Sequence, residues 1–159
     1  MGKENNGREL VALENDLSDV VYFSYEWAIR QHEVVLRESG GLPGVLQEGQ
    51  LKGVLAFIQE DAYYPYFTDK LVHLLYAVCM FHMFADANKR TAIALGAYFL
   101  KINGYESCID RFMIDMEKLV VMLVEHAISE EDFSEYVACI IYEADYPPNL
   151  EEKIRKQPI

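Results

Sequence analysis

The stretch His82-Met83-Phe84-Ala85-Asp86-Ala87-Asn88-Lys89-Arg90 decides how this chain is read. It sets an imidazole, a carboxylate, a carboxamide, an ammonium and a guanidinium in one short turn. The flanks, residues 71–81 and 91–102, are apolar and helix-compatible. A polar cluster between two core-forming helices has no packing role, which points to a chemical one. Lys89, Arg90 and the free backbone N–H groups of a helix start attract phosphate, because dipole and unpaired donors both favour an anion there. Asp86 offers a hard oxygen to magnesium, which takes only one or two such ligands from protein. His82 has the side chain whose ordinary pKa suits a general base near neutrality. The cluster reads as a phosphoryl or nucleotidyl transfer site. Blander roles exist for each residue: His82 closing a helix end, Asp86 or Asn88 capping the next helix, Lys89 and Arg90 as solvated charges.

Working outward, helices are expected on both sides of this turn, over residues 69–81 with Thr68 as cap and over 88–102, stopped by Asn103-Gly104. Both are apolar nearly all round, so they form the central buried pair. An amphipathic helix is expected to run from Asp16 or Ser18 to residue 39, with Val21, Tyr25, Ala28, His32 and Leu36 near one face. Gly40-Gly41 ends it and Pro43-Gly44 turns the chain. Further helices are expected over 47–59, 115–127 and, after a capping-box variant at Ser129, up to about 143. Tyr63, Tyr64, Tyr66 and Phe67 form an aromatic loop. Without a long alternating pattern, the class is all-α with at most a small hairpin. The expected division is a polar arm over 1–15, one domain over 16–144, and a charged tail over 145–159 outside the core.

With 159 residues, 52% of them hydrophobic, the chain has enough apolar surface for one core without staples. Cys79, Cys108 and Cys139 are odd in number and widely spaced, so buried free thiols in a reducing compartment are expected, and no zinc site. The polar first residues give no secretory leader, and the longest apolar run is too short for a membrane, so a cytoplasmic protein is expected. A net charge of −12 argues against duplex nucleic acid but leaves room for a nucleotide in a local positive pocket. His32, His73 and His126 fall on expected helices and are assigned no functional role.

The segment His82-x-Phe84-x-Asp86-Ala87-Asn88-Lys89-Arg90, continued by Thr91-Ala92, resembles the motif of the Fic/Doc family, most closely its Doc ("death on curing") branch. Gly40-Gly41-Leu42-Pro43-Gly44 resembles a turn of the same proteins, and the resemblance spans about residues 17–142. It implies a compact Fic-fold helical bundle, with a small β-hairpin flap as a possible addition. By the same resemblance His82 deprotonates the hydroxyl of a target protein, Asp86 binds Mg2+, and Ala87, Asn88, Lys89 and Arg90 hold the phosphates of ATP. Phe84 anchors the motif in the core. Tyr63, Tyr64 and Tyr66 lie where related enzymes carry the flap that positions the target; ordinary packing explains them equally well.

Two departures from the wider family sharpen the expectation. Many Fic adenylyltransferases have a second arginine where this chain has Ile93, and a glycine where it has Lys89. Both differences resemble the Doc branch, which implies transfer of the γ-phosphate, with elongation factor Tu as the known kind of target. AMP transfer and a non-catalytic interaction module remain the alternatives. No inhibitory segment of the (Ser/Thr)-x-x-x-Glu-(Gly/Asn) kind is present in the sequence. Restraint is therefore expected from a separate antitoxin, a basic segment folding as a helix onto the bundle.

Overall fold

The computed structural model describes residues 20–158. Among these, seven α-helices follow one another: α1 Tyr25–Ser39, α2 Glu48–Phe57, α3 Phe67–Met80, α4 Asn88–Ile102, α5 Ile109–Val124, α6 Glu130–Ile141 and α7 Pro148–Lys156. A single 3-10 turn, Glu106–Cys108, leads into α5. The class is all-α, as the sequence implies. Among the described residues the expected hairpin is reduced to one antiparallel bridge, between Val45 and Phe84.

α3 and α4 form the centre, and α5, α6, α1 and α2 pack around them. Their apolar faces meet because Gly96 removes a side chain from the crossing. A Cβ there would sit 2.7 Å from Cζ of Phe112 on α5 and 2.8 Å from Cδ2 of Leu75 on α3. Leu71, Leu74, Leu75 and Val78 from α3, with Leu95, Phe99 and Leu100 from α4, are buried without remainder.

Several boundaries differ from the sequence reading, each for a local reason. Asp16 and Ser18 lie outside the described residues; the cap of α1 is Ser24, whose hydroxyl accepts the Trp27 N–H at 3.1 Å. Residues 20–24 are non-helical and held instead by Asn103, which takes the Val21 N–H at 2.8 Å and donates to the Val21 carbonyl at 2.9 Å. Thr68 is not a cap: it lies inside α3, fully buried. α5 starts six residues before the expected 115, and it ends at Val124, with Glu125 as its C-cap and His126 left-handed (φ 57°), not helical. Ser129 does cap α6, accepting the Asp132 N–H at 3.0 Å.

The C-terminal segment departs most. Instead of a tail outside the core it folds as α7 and buries Leu150 and Ile154, while the Tyr136 hydroxyl donates to the Leu150 carbonyl at 2.6 Å. Pro148 pre-sets the first turn, and one apolar pair four residues apart supplies the inward face. The α2–α3 connection is stapled by a buried lysine. Lys70 donates to the Ile58 carbonyl at 2.6 Å and to Asp61 at 2.8 Å, so the charge of the buried amine is paired with a carboxylate that itself reaches solvent. Among the described residues, no helix is long and apolar enough to cross a membrane.

Candidate active site

The motif occupies the turn between α3 and α4, and its shape is set by apolar anchoring. Met83 and Phe84 are buried, so the chain must dip into the core just after α3 and return to the surface. His82 at φ 49° and Ala87 at φ 64° make the two left-handed bends this requires. The turn is then laced to residues 44–47: the Leu46 and Gln47 N–H groups donate to the Met83 carbonyl at 2.8 and 3.2 Å, and the Ala85 N–H donates to the Gly44 carbonyl at 3.0 Å. His82 follows the end of α3, and its side chain is exposed.

Asp86 is held from three sides. Its carboxylate accepts the Leu42 N–H at 3.0 Å and the Ala87 N–H at 2.7 Å, with the Arg90 guanidinium 4.0 Å away. The Leu42 and Ala87 bonds, and then the Arg90 charge, pull its pKa below the ordinary carboxylate value. Its side chain is still 42% exposed, so an ionised hard oxygen faces solvent beside the turn. That donor fits magnesium, which completes its shell from phosphate and water.

α4 begins at the motif without a side-chain cap, behind the left-handed Ala87. Each of the other six described helices carries an acid in its first turn; α4 carries none, and has Lys89 and Arg90 there. Two cations at the positive end of a helix dipole form a site whose charge calls for an anion. Arg90 is partly engaged: it donates to the Ser39 hydroxyl and, at 2.8 Å, to the Gly40 carbonyl. Lys89 is exposed.

Asn88, given a phosphate contact by the resemblance, has its carboxamide engaged elsewhere. Its oxygen accepts the Phe84 N–H at 3.0 Å and its NH2 donates to the Phe84 carbonyl at 3.0 Å. The side chain clasps the motif's buried anchor with its oxygen and one of its two amide N–H donors. Phe84 is the anchor the sequence suggested, 1% exposed and stacked on His32 with ring centroids 3.9 Å apart.

Tyr63, Tyr64 and Tyr66 are not brought to the motif. They sit at the opposite end of α3, whose 14 residues span ~21 Å. Tyr64 stacks on His73 at 4.7 Å, and Tyr63 lies 5.5 Å from Phe57. With Asp69, Glu130 and Glu131, Tyr63 and Tyr64 line a separate cavity of about 350 Å³. The segment facing the motif is 41–47, where Leu42 and Leu46 are exposed. The glycine-proline turn marked this segment as a bend, while its role as the motif's neighbour had no local signal. His32, which the sequence suggests is a structural histidine, is buried on α1 and bonds at 2.9 Å to the Asp86 carbonyl of the motif. An imidazole on an apolar helix face looks like any core histidine until its partner is known.

The sequence pattern of the Fic/DOC family matches residues 22–100, which run from just before α1 into the last turn of α4 and contain the whole site. Among curated proteins, "Protein kinase doc" of Escherichia phage P1 is 33% identical over 88 residues, covering 54% of this chain and 70% of the phage protein. On that coverage, and with the motif folded into the turn between α3 and α4, the chain belongs to the Fic/DOC family.

Proposed function

We propose that this protein is a Doc-like transferase that uses ATP and Mg2+ to phosphorylate a hydroxyl group of a target protein. The observation that carries the reading is one juxtaposition: exposed His82, ionised Asp86 and the acid-free, doubly cationic start of α4. The kinase name of the phage relative supports phosphate over AMP as the transferred group. In this reading the hydroxyl oxygen bonds to the γ-phosphorus as the bond to the bridging oxygen breaks and ADP leaves. His82 takes the hydroxyl proton. Lys89, Arg90 and the N–H groups at the start of α4 bind the phosphates and neutralise charge in the transition state, the main work of such catalysis. Asp86 would hold the magnesium ion, whose contribution when bound is further neutralisation of phosphate charge. Exposed Leu42 and Leu46 offer an apolar approach for the target segment.

The test is transfer from ATP labelled at the α- or the γ-phosphorus. Label from the γ position and a mass gain of one phosphate are expected; α label with a gain of one AMP would establish the adenylyltransferase alternative. His82→Ala is expected to bind ATP as before and to lose transfer by 100-fold or more, the usual scale of a general base, ~10²–10⁴. Absence of ATP and Mg2+ binding in calorimetry at millimolar nucleotide would favour the interaction module.

The same reading makes the protein a toxin of a toxin–antitoxin pair that blocks translation in the cytoplasm, with elongation factor Tu as the first target to assay. The antitoxin we propose is a basic segment that folds on docking, suited to a net charge of −12. Expression alone is expected to arrest growth, and His82→Ala to relieve the arrest. Unimpaired growth with abundant soluble protein would defeat the toxin reading and leave the family assignment standing.

A further inference from the structure

Asp86 needs a reason to stay where it is, because the backbone beside it is not in a relaxed conformation. Ala87 is left-handed, at φ 64° and ψ 28°, a region that costs any residue with a Cβ. The carbonyl of Asp86 and the N–H of Ala87 belong to one planar peptide unit, so they point in opposite directions and move together. That N–H donates to the carboxylate of Asp86 at 2.7 Å. The carbonyl, on the other face, meets Nε2 of His32 at 2.9 Å. A carbonyl only accepts, so His32 is the donor and carries its proton on Nε2. Rotation of this peptide would carry the Ala87 N–H away from the carboxylate and let Ala87 leave the left-handed region. The His32 bond opposes that rotation.

The His32 ring is well placed for such a task. It is 2% exposed on the inner face of α1 and lies flat on Phe84, with ring centroids 3.9 Å apart and planes 8° from parallel. Phe84 is in turn clasped by Asn88. The imidazole cannot swing, and its N–H is aimed by packing at a single acceptor.

We infer that His32 is a positioning residue: by holding the Asp86–Ala87 peptide, it fixes the carboxylate of Asp86 in the orientation used for metal-dependent transfer. Its activity arm rests on the transfer reading above; its structural arm does not. Outer partners that orient a metal ligand are worth roughly 10–100-fold in affinity or activity when removed.

Two variants separate the donated bond from the ring packing. His32→Phe keeps a flat ring against Phe84 and removes the donor. His32→Gln keeps a donor at similar reach and gives up the ring. With folding checked by circular dichroism, His32→Phe is expected to lose hydrogen-exchange protection at the Ala87 N–H, read by NMR. It is also expected to need more Mg2+ for half-maximal transfer and to lower the rate about tenfold or more. His32→Gln is expected to recover most of both. Wild-type protein supplies a check that needs no variant: the 15N spectrum of His32 must show a proton on Nε2. The inference is overturned by an Nε2 without a proton, by Ala87 protection unchanged in His32→Phe, or by His32→Gln performing no better than His32→Phe. Should wild type transfer nothing from ATP, the proposed function fails, while exchange at Ala87 still decides the role of His32.

Discussion

Two backbone N–H groups, from Leu42 and Ala87, point at the carboxylate of Asp86 in the folded chain. Because both bonds favour the charged form, the folded pKa lies below the unfolded one, and the sign of the linkage follows. The contribution to stability is fully present above the unfolded value of about 3.9 and is lost as pH falls through the lowered folded value. The Leu42 and Ala87 amide shifts in an acid titration are expected to move together, below the ordinary carboxylate range. Independent midpoints would break the proposed geometry. Gly41 is the residue that lets this happen. Its φ is 130°, and a Cβ would lie 2.9 Å from Oδ2 of Asp86 and 3.1 Å from Nη2 of Arg90. Gly41→Ala is therefore expected to lower stability by about 1–3 kcal/mol, the scale of local backbone strain, and to raise the Mg2+ requirement. A urea melt and a Mg2+ titration of transfer check the two effects separately.

At the scale of elements, the turn between α3 and α4 is held by side chains that read differently in sequence and in space. Asn88 looks like a helix cap or a phosphate ligand and is a clasp on Phe84. Asn88→Ala would leave a buried N–H and carbonyl of Phe84 without partners. The expected cost is about 1–3 kcal/mol for each unsatisfied group, measured by urea unfolding. The central pair was legible because helical periodicity and apolarity agree over 88–102, and the Asn103-Gly104 stop is local. Ser129 was legible for the same reason: its bond spans three residues. What escaped was non-local. Ser24 displaces Ser18 as the cap of α1 because Asn103, some 80 positions on, takes up the backbone of Val21. The motif was visible as chemistry, while the loop against it and the imidazole behind it came from α1 and its end, far away in sequence.

In the whole molecule, α7 closes one side of the bundle with two apolar residues. Leu150→Ala is expected to cost about 2–5 kcal/mol, seen as a lower urea midpoint. The motif is built from other helices, so transfer at low temperature should survive. A second global effect comes from His73, whose burial lowers its pKa against the opposing pull of Glu130. The unfolded chain takes up a proton that the packed ring resists. Stability is therefore full above the unfolded value of about 6.5 and declines as pH falls below it. His73→Phe, which keeps the ring against Tyr64, should flatten that slope between pH 7.5 and 5.5. Lys70 carries a different consequence. Its amine is sealed between Ile58 and Asp61, whereas Lys52 and Lys89 stand in solvent. An amine-reactive ester will mark those two at once, but can reach Lys70 only in molecules that have opened. Acylated Lys70, counted by peptide mass spectrometry, thus becomes a stopwatch for the opening of the fold, started and read without any added dye or denaturant.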